Sequence, residues 1–137
     1  MITFYYETDF TVENESALIS WIQDCITSQC CEVGEINYIF CDDAYLLKLN
    51  IEFLQHETLT DIISFDNTMG KLIAGDIFIS EERVRENAKI FGVSFKEELS
   101  RVMVHGVLHF LGFKDKTKSE KEHMRNKENQ ALSGLKV

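Results

Sequence analysis

The sequence predicts an α+β domain, with a mixed β-sheet of about four strands packed with helices and the whole chain, residues 1–137, forming a single unit. Three observations predict it. Strand and helix signals run in the order strand, helix, strand, helix, two strands, then helices. The stretch Val102–Leu111 is apolar nearly all round, as expected of a helix buried at the centre of a fold. The composition is that of a core-forming chain, 45% apolar and 27% charged with no proline, and 137 residues bury a core without metal or disulfide staples.

Each element follows from local chemistry. Ile2–Tyr6 is β-branched and aromatic, a first strand. Asn14 or Ser16 can cap a helix running to about Cys30, with Leu18, Ile19, Ile22 and Ile26 at helical spacing. Glu35–Cys41 reads as a second strand. Asp42 or Asp43 opens a helix with Tyr45, Leu46, Leu49 and Phe53 on one face. Leu54–Thr60 is mostly polar and reads as a loop, and Asp61–Phe65 as a short strand. The turn composition of Asn67–Gly70 suggests that Leu72–Ile79 pairs beside it. Ser80 caps the next helix, with Glu81 and Glu82 in its first turn, and Gly92 stops it. Ser94 and Glu97 fit a capping box for the buried helix, which runs to Leu111 before Gly112, a left-handed cap. Ser119 and Glu122 fit a second box, opening a polar helix to about Leu132.

Several classes are disfavoured. No apolar run approaches the roughly 20 residues of a membrane span. The start, Met1–Glu7, lacks the basic and apolar regions of a signal peptide, so a cytoplasmic protein is expected. Cys25, Cys30, Cys31 and Cys41 form no CxxC pair and read as free thiols. The net charge of −9 disfavours nucleic acid at first sight, yet it is unevenly spread. Residues 1–100 carry 6 Lys and Arg against 19 Asp and Glu, and residues 101–137 carry 8 against 4. Such asymmetry suggests that one end faces an anion, although a solvated charged helix would look the same.

The chemistry concentrates in the buried helix. His105 and His109 are four apart, so their rings share one face within ~6 Å. Gly112 then lets the chain fold back, and Asp115 can reach the same point. Two imidazoles and a carboxylate make a three-ligand zinc set with the fourth position open. The helix would thus be a metal-binding one. His123 is a rival third ligand. Position 106 is glycine where the metalloprotease pattern has glutamate, so the helix offers no general base and peptide hydrolysis is disfavoured. A glycine inside a helix costs about 1 kcal/mol and signals a close approach, by a substrate or by the sheet.

The run His105-Gly106-Val107-Leu108-His109-Phe110-Leu111-Gly112-Phe113 resembles the H-G-x-L-H-L-x-G-Y signature of the YbeY family of endoribonucleases. Thr60–Phe65 resembles the family's T-D-V-L-S-F, and Ala74–Ser80 its G-D-I-x-I-S. Order and spacing fit, and the resemblance covers roughly residues 35–132. It implies a zinc-dependent endoribonuclease specific for single-stranded RNA. Such an enzyme would process the 3′ end of small-subunit 16S ribosomal RNA and take part in ribosome maturation and quality control. It implies rRNA and the small ribosomal subunit as partners, one Zn²⁺ per chain, and neither membrane nor DNA.

Two departures stand out. The family continues with a third histidine where this chain has Asp115, itself a legitimate zinc ligand. Leu54 falls where the family commonly has an arginine implicated in activity. His56, Lys114 and Lys116 are therefore the candidate RNA contacts, with an ordinary surface residue the preferred reading of each. Zinc held by His105, His109 and Asp115 would acidify a bound water, and metal and basic side chains would neutralise the attacked phosphodiester. Asp61 and Asp76 are candidates to accept hydrogen bonds from ligating imidazoles, with turn or capping work as the alternative. Two rival functions remain: a ribosome-assembly factor that binds RNA or ribosomal protein with little or no cleavage, and a metal-dependent hydrolase of a small substrate.

Overall fold

The computed structural model describes residues 1–55 and 59–135. Strands β1 (Ile2–Tyr6), β2 (Glu32–Cys41), β3 (Ile62–Asp66) and β4 (Leu72–Ser80) form one sheet in the order β1-β2-β4-β3. The first two pairings are parallel and the last is antiparallel, so the sheet is mixed, as the element order predicts. Tyr38 lies opposite Ile77, and Ile77 lies opposite Ser64. Helices α1 (Glu15–Thr27), α2 (Asp43–Leu49), α3 (Glu81–Phe91), α4 (Phe95–Phe110) and α5 (Lys118–Ser133) surround it.

Strand alternation sorts the two sheet faces. Ile36, Tyr38 and Phe40 of β2 and Ile73, Ile77 and Ile79 of β4 are fully buried with α1 and α4 in one large core. The opposite face carries a smaller cluster around Cys41, Leu46 and Ile63. Ten of the sixteen α4 residues are buried, which is why that helix reads as apolar on all sides. Tyr38 fixes α4 to the sheet, its buried hydroxyl donating to the Met103 carbonyl at 2.8 Å. Gly106 sits flat on the sheet: a Cβ there would lie 2.9 Å from Ile77 and 3.2 Å from Ile62. The close approach that the glycine signals is therefore made by the sheet.

The boundaries differ from the sequence expectations in instructive places. α1 ends at Thr27, and the chain turns through Cys30 with φ 59° before reaching β2. Asn14 precedes α1 in the left-handed region and makes no side-chain cap. β2 begins at Glu32, three residues early, because its parallel pairing with β4 resumes beyond an irregularity between Val33 and Ile36. Leu54 belongs to a π-helical turn, Asn50–Leu54, that continues α2. Ser94 accepts from the Glu97 amide, so the expected cap forms without the return bond from Glu97 that would complete a box. The box opening α5 is Thr117 and Glu120 rather than Ser119 and Glu122. Thr117 accepts from the Glu120 amide at 3.1 Å while Glu120 accepts from the Thr117 amide at 2.9 Å. The sequence contains two overlapping boxes, and the earlier one starts the helix two residues sooner.

Candidate metal centre

The candidate site lies at the end of α4 and in the turn beyond it. Gly112 has φ 101°; its amide bonds to the His109 carbonyl and the Phe113 amide to the Leu108 carbonyl. This paired closure is a Schellman motif, and it reverses the chain so that Asp115 returns beside the histidines. His105 Nε2 and His109 Nε2 are 3.0 Å apart, and Asp115 Oδ2 lies 3.2 Å from each. These three residues could hold a metal ion.

The donor set fits such an ion. Tetrahedral zinc with bonds of about 2.0–2.1 Å separates neighbouring ligand atoms by about 3.3 Å, close to the observed triangle. The side chains of His105, His109 and Asp115 retain 22%, 31% and 36% exposure, so the triangle faces solvent on one side. Three donors with an accessible side make the kind of site that keeps a coordination position for a reacting group.

The carboxylate oriented on an imidazole comes from Glu128, a residue that the sequence reading did not single out. Glu128 Oε2 lies 2.6 Å from His105 Nδ1. The ring therefore keeps its proton on Nδ1 and turns the Nε2 lone pair toward the triangle. Glu128 is buried, and its Oε1 accepts from Arg101 at 3.1 Å, with Arg125 at 3.6 Å. Burial alone would push the Glu128 carboxyl up, but its bonds to His105 and Arg101 together with nearby positive charge hold it below its ordinary value. Burial pulls His105 down, and the Glu128 bond with the charges of Glu128, Asp115 and Asp61 outweighs it, leaving the imidazole above its ordinary value. Glu128 was invisible in sequence because it sits 23 residues beyond His105, in a helix that reads as solvated. Its signal was positional: with Met124, it is one of two buried residues of α5, one helical turn apart.

The other sequence candidates fall in different places. Asp61 lines a cleft with His105 and acts on it through its charge; its own carboxyl takes a hydrogen bond from Asn87. Burial pushes the Asp61 carboxyl up from its ordinary value. Asp76 shares strand parity with Phe78, on the sheet face away from α4, and accepts from Asn37 at 2.9 Å. The structure does not bring it to the histidines. Lys114 and Lys116 are exposed on either side of Asp115. His123, the rival ligand, packs its ring against Phe113 at 5.5 Å and is not in the metal-binding group. Leu54 is 45% exposed at the end of the π-helical turn, and His56 lies outside the described residues.

Fold and site together define an α+β protein that presents, at the end of its central helix, an open His-His-Asp group that could hold a metal ion. The family model described as Endoribonuclease YbeY matches residues 4–136. A curated relative from Flavobacterium johnsoniae, named Endoribonuclease YbeY, is 56% identical over 137 residues, covering 100% of this chain and 99% of its own. Another of that name, from Christiangramia forsetii, is 53% identical over 132 residues, covering 96% of this chain and 92% of its own. The chain belongs to the YbeY family. A Thermotoga maritima protein known from a solution structure shares the fold at 23% identity, with a TM-score of 0.72 over 98% of this chain and 89% of that one.

Proposed function

We propose that this protein is a metal-dependent endoribonuclease that cuts single-stranded RNA during ribosomal RNA processing. The observation that carries the reading is the 3.0–3.2 Å convergence of His105, His109 and Asp115 at a solvent-facing turn, in a chain of a family named for endoribonuclease activity. His105, His109 and Asp115 are the ligands in this reading, and zinc is the metal, one ion per chain. A divalent ion there supplies Lewis acidity toward a phosphodiester oxygen and makes water a better nucleophile at neutral pH. Glu128 holds the Nδ1 proton of His105 and so keeps Nε2 a donor of electrons. Asp115 adds a negative charge, which a histidine in its place would not. Lys114 and Lys116, exposed beside Asp115, are placed to offset phosphate charge as RNA approaches. The 3′ end of small-subunit rRNA, in the cytoplasm and on the small ribosomal subunit, is the substrate in this reading.

Leu54 favours one competing reading. An apolar side chain stands where the resemblance to the family implies an arginine, which suits an assembly factor that binds RNA and cleaves slowly. Cleavage of a labelled single-stranded RNA separates the two. Wild type and His109→Ala are purified identically and assayed with and without added zinc. Cleavage only by zinc-loaded wild type is expected. Equal cleavage in both samples, or none in either, would overturn the catalytic reading and leave the assembly role.

A further inference from the structure

We propose that the cleft beside His105 is a subsite for one nucleotide of a bound RNA strand, with Phe91 as the platform for its base and Arg125 as the contact to its phosphate. This rests on the RNA reading above. The cleft shares His105 with the His105, His109 and Asp115 triangle, so the two adjoin through one imidazole. Its volume is about 240 Å³. That is below the roughly 300–1,000 Å³ of sites enclosing whole ligands, and it suits one ring system of a longer polymer.

Asp61, Glu98, Glu128 and Arg101 line the cleft, and two exposed side chains add groups suited to RNA. Phe91 closes α3 at the cleft wall and is 57% exposed, a large apolar ring left facing water. Such a ring stacks on any base, because every base has a π-face. Arg125 lines the same cleft with its side chain 55% exposed. Its contact with Glu128 is loose, at 3.6 Å, on the oxygen that Arg101 holds at 3.1 Å, while His105 takes the other oxygen. Arg101 and His105 thus satisfy Glu128, and the planar fork of Arg125 stays available for a phosphate. On the wall, the hydrogen-bonded pair Asn87 and Asp61 offers polar groups to a base edge.

The test uses the full chain, a fluorescein-labelled oligoribonucleotide, and both anisotropy and steady-state cleavage. Phe91→Ala is expected to raise Kd and KM on the order of tenfold with kcat little changed, and Phe91→Tyr to restore both. Arg125→Ala is expected to weaken binding and to reduce the slope of log affinity against log salt by about 0.7, with Arg125→Lys recovering the slope. Lys71→Ala, in the exposed β3–β4 turn, is the charge control and should change neither. Bound zinc should be equal throughout. If wild type binds and cleaves while Phe91→Ala and Arg125→Ala match it in Kd, KM and salt slope, the subsite is wrong and the endoribonuclease reading stands. A fall in kcat at unchanged KM, or an equal slope change in Lys71→Ala, would also overturn the subsite. If wild type neither binds nor cleaves RNA, both readings fall.

Discussion

Glu128→Gln is expected to weaken zinc binding by about tenfold, and Glu128→Ala by up to about a hundredfold. The structure sets the order of the two. Glutamine keeps an acceptor oxygen for His105 Nδ1, so the ring stays oriented, but the negative charge that makes Nε2 a stronger donor is gone. Alanine removes the orientation as well. The bond lost is short, 2.6 Å, and its acceptor is only 5% exposed, so water replaces it poorly. The expected range corresponds to about 1.4–2.8 kcal/mol of binding free energy. Glu128→Ala also strands Arg101, whose side chain is 15% exposed, and should cost the metal-free protein about 3 kcal/mol, the low end for breaking a buried ion pair. Chelator competition at fixed pH measures the affinity, thermal unfolding without metal measures the stability, and imidazole nitrogen shifts report the His105 tautomer. Two folded variants that bind zinc as tightly as wild type would refute the orienting role.

Four further outcomes follow from the packing. Gly106→Ala gains about 1 kcal/mol of helix propensity but drives a methyl into Ile77 and Ile62, an overpacking cost of about 1–3 kcal/mol, so urea denaturation should show no net gain. Thr117→Ala should cost about 1 kcal/mol in the same assay. Glu120, in the same cap, is held below its ordinary value of 4.5 by the Thr117 amide, then the Thr117 hydroxyl, the Lys116 amide and the charge of Lys114. A depressed carboxyl stabilises the fold above its unfolded value and loses that contribution as pH falls through the folded one. The urea midpoints of wild type and Glu120→Gln should therefore converge below about pH 4.5, and a gap independent of pH would contradict this. Tyr38→Phe, which loses the hydroxyl on the Met103 carbonyl, should cost about 1 kcal/mol, and an unchanged midpoint would show that the bond contributes nothing.

The sequence made α4 legible because its signals agree: a serine cap, an all-round apolar run, a glycine stop, and two histidines at one-turn spacing. The return of Asp115 was legible for the same reason, since Gly112 announces the reversal. What stayed hidden depends on contacts between distant segments. Glu128 meets His105 only because α5 docks on α4, and no local pattern records that. Asp76 does not reach the histidines because a strand residue's face is set by register, and its register aims it at Asn37. The α5 start was ambiguous because Thr117 and Ser119 each stand three residues before a glutamate, and only the fold chooses between them.

α5 buries only Met124 and Glu128, and the Trp21 indole ties its far end through the Ala131 carbonyl. A helix so sparsely anchored belongs to the part of a domain that opens first by local unfolding. Yet its one buried acid steadies a histidine of the metal-binding group, so an ion that binds the docked arrangement more tightly than the open one must, by linkage, favour docking. Hydrogen exchange along α5 then becomes a gauge of metal occupancy: its amides should gain protection on loading, while those of β2 and β4, closed in by the core, should barely respond.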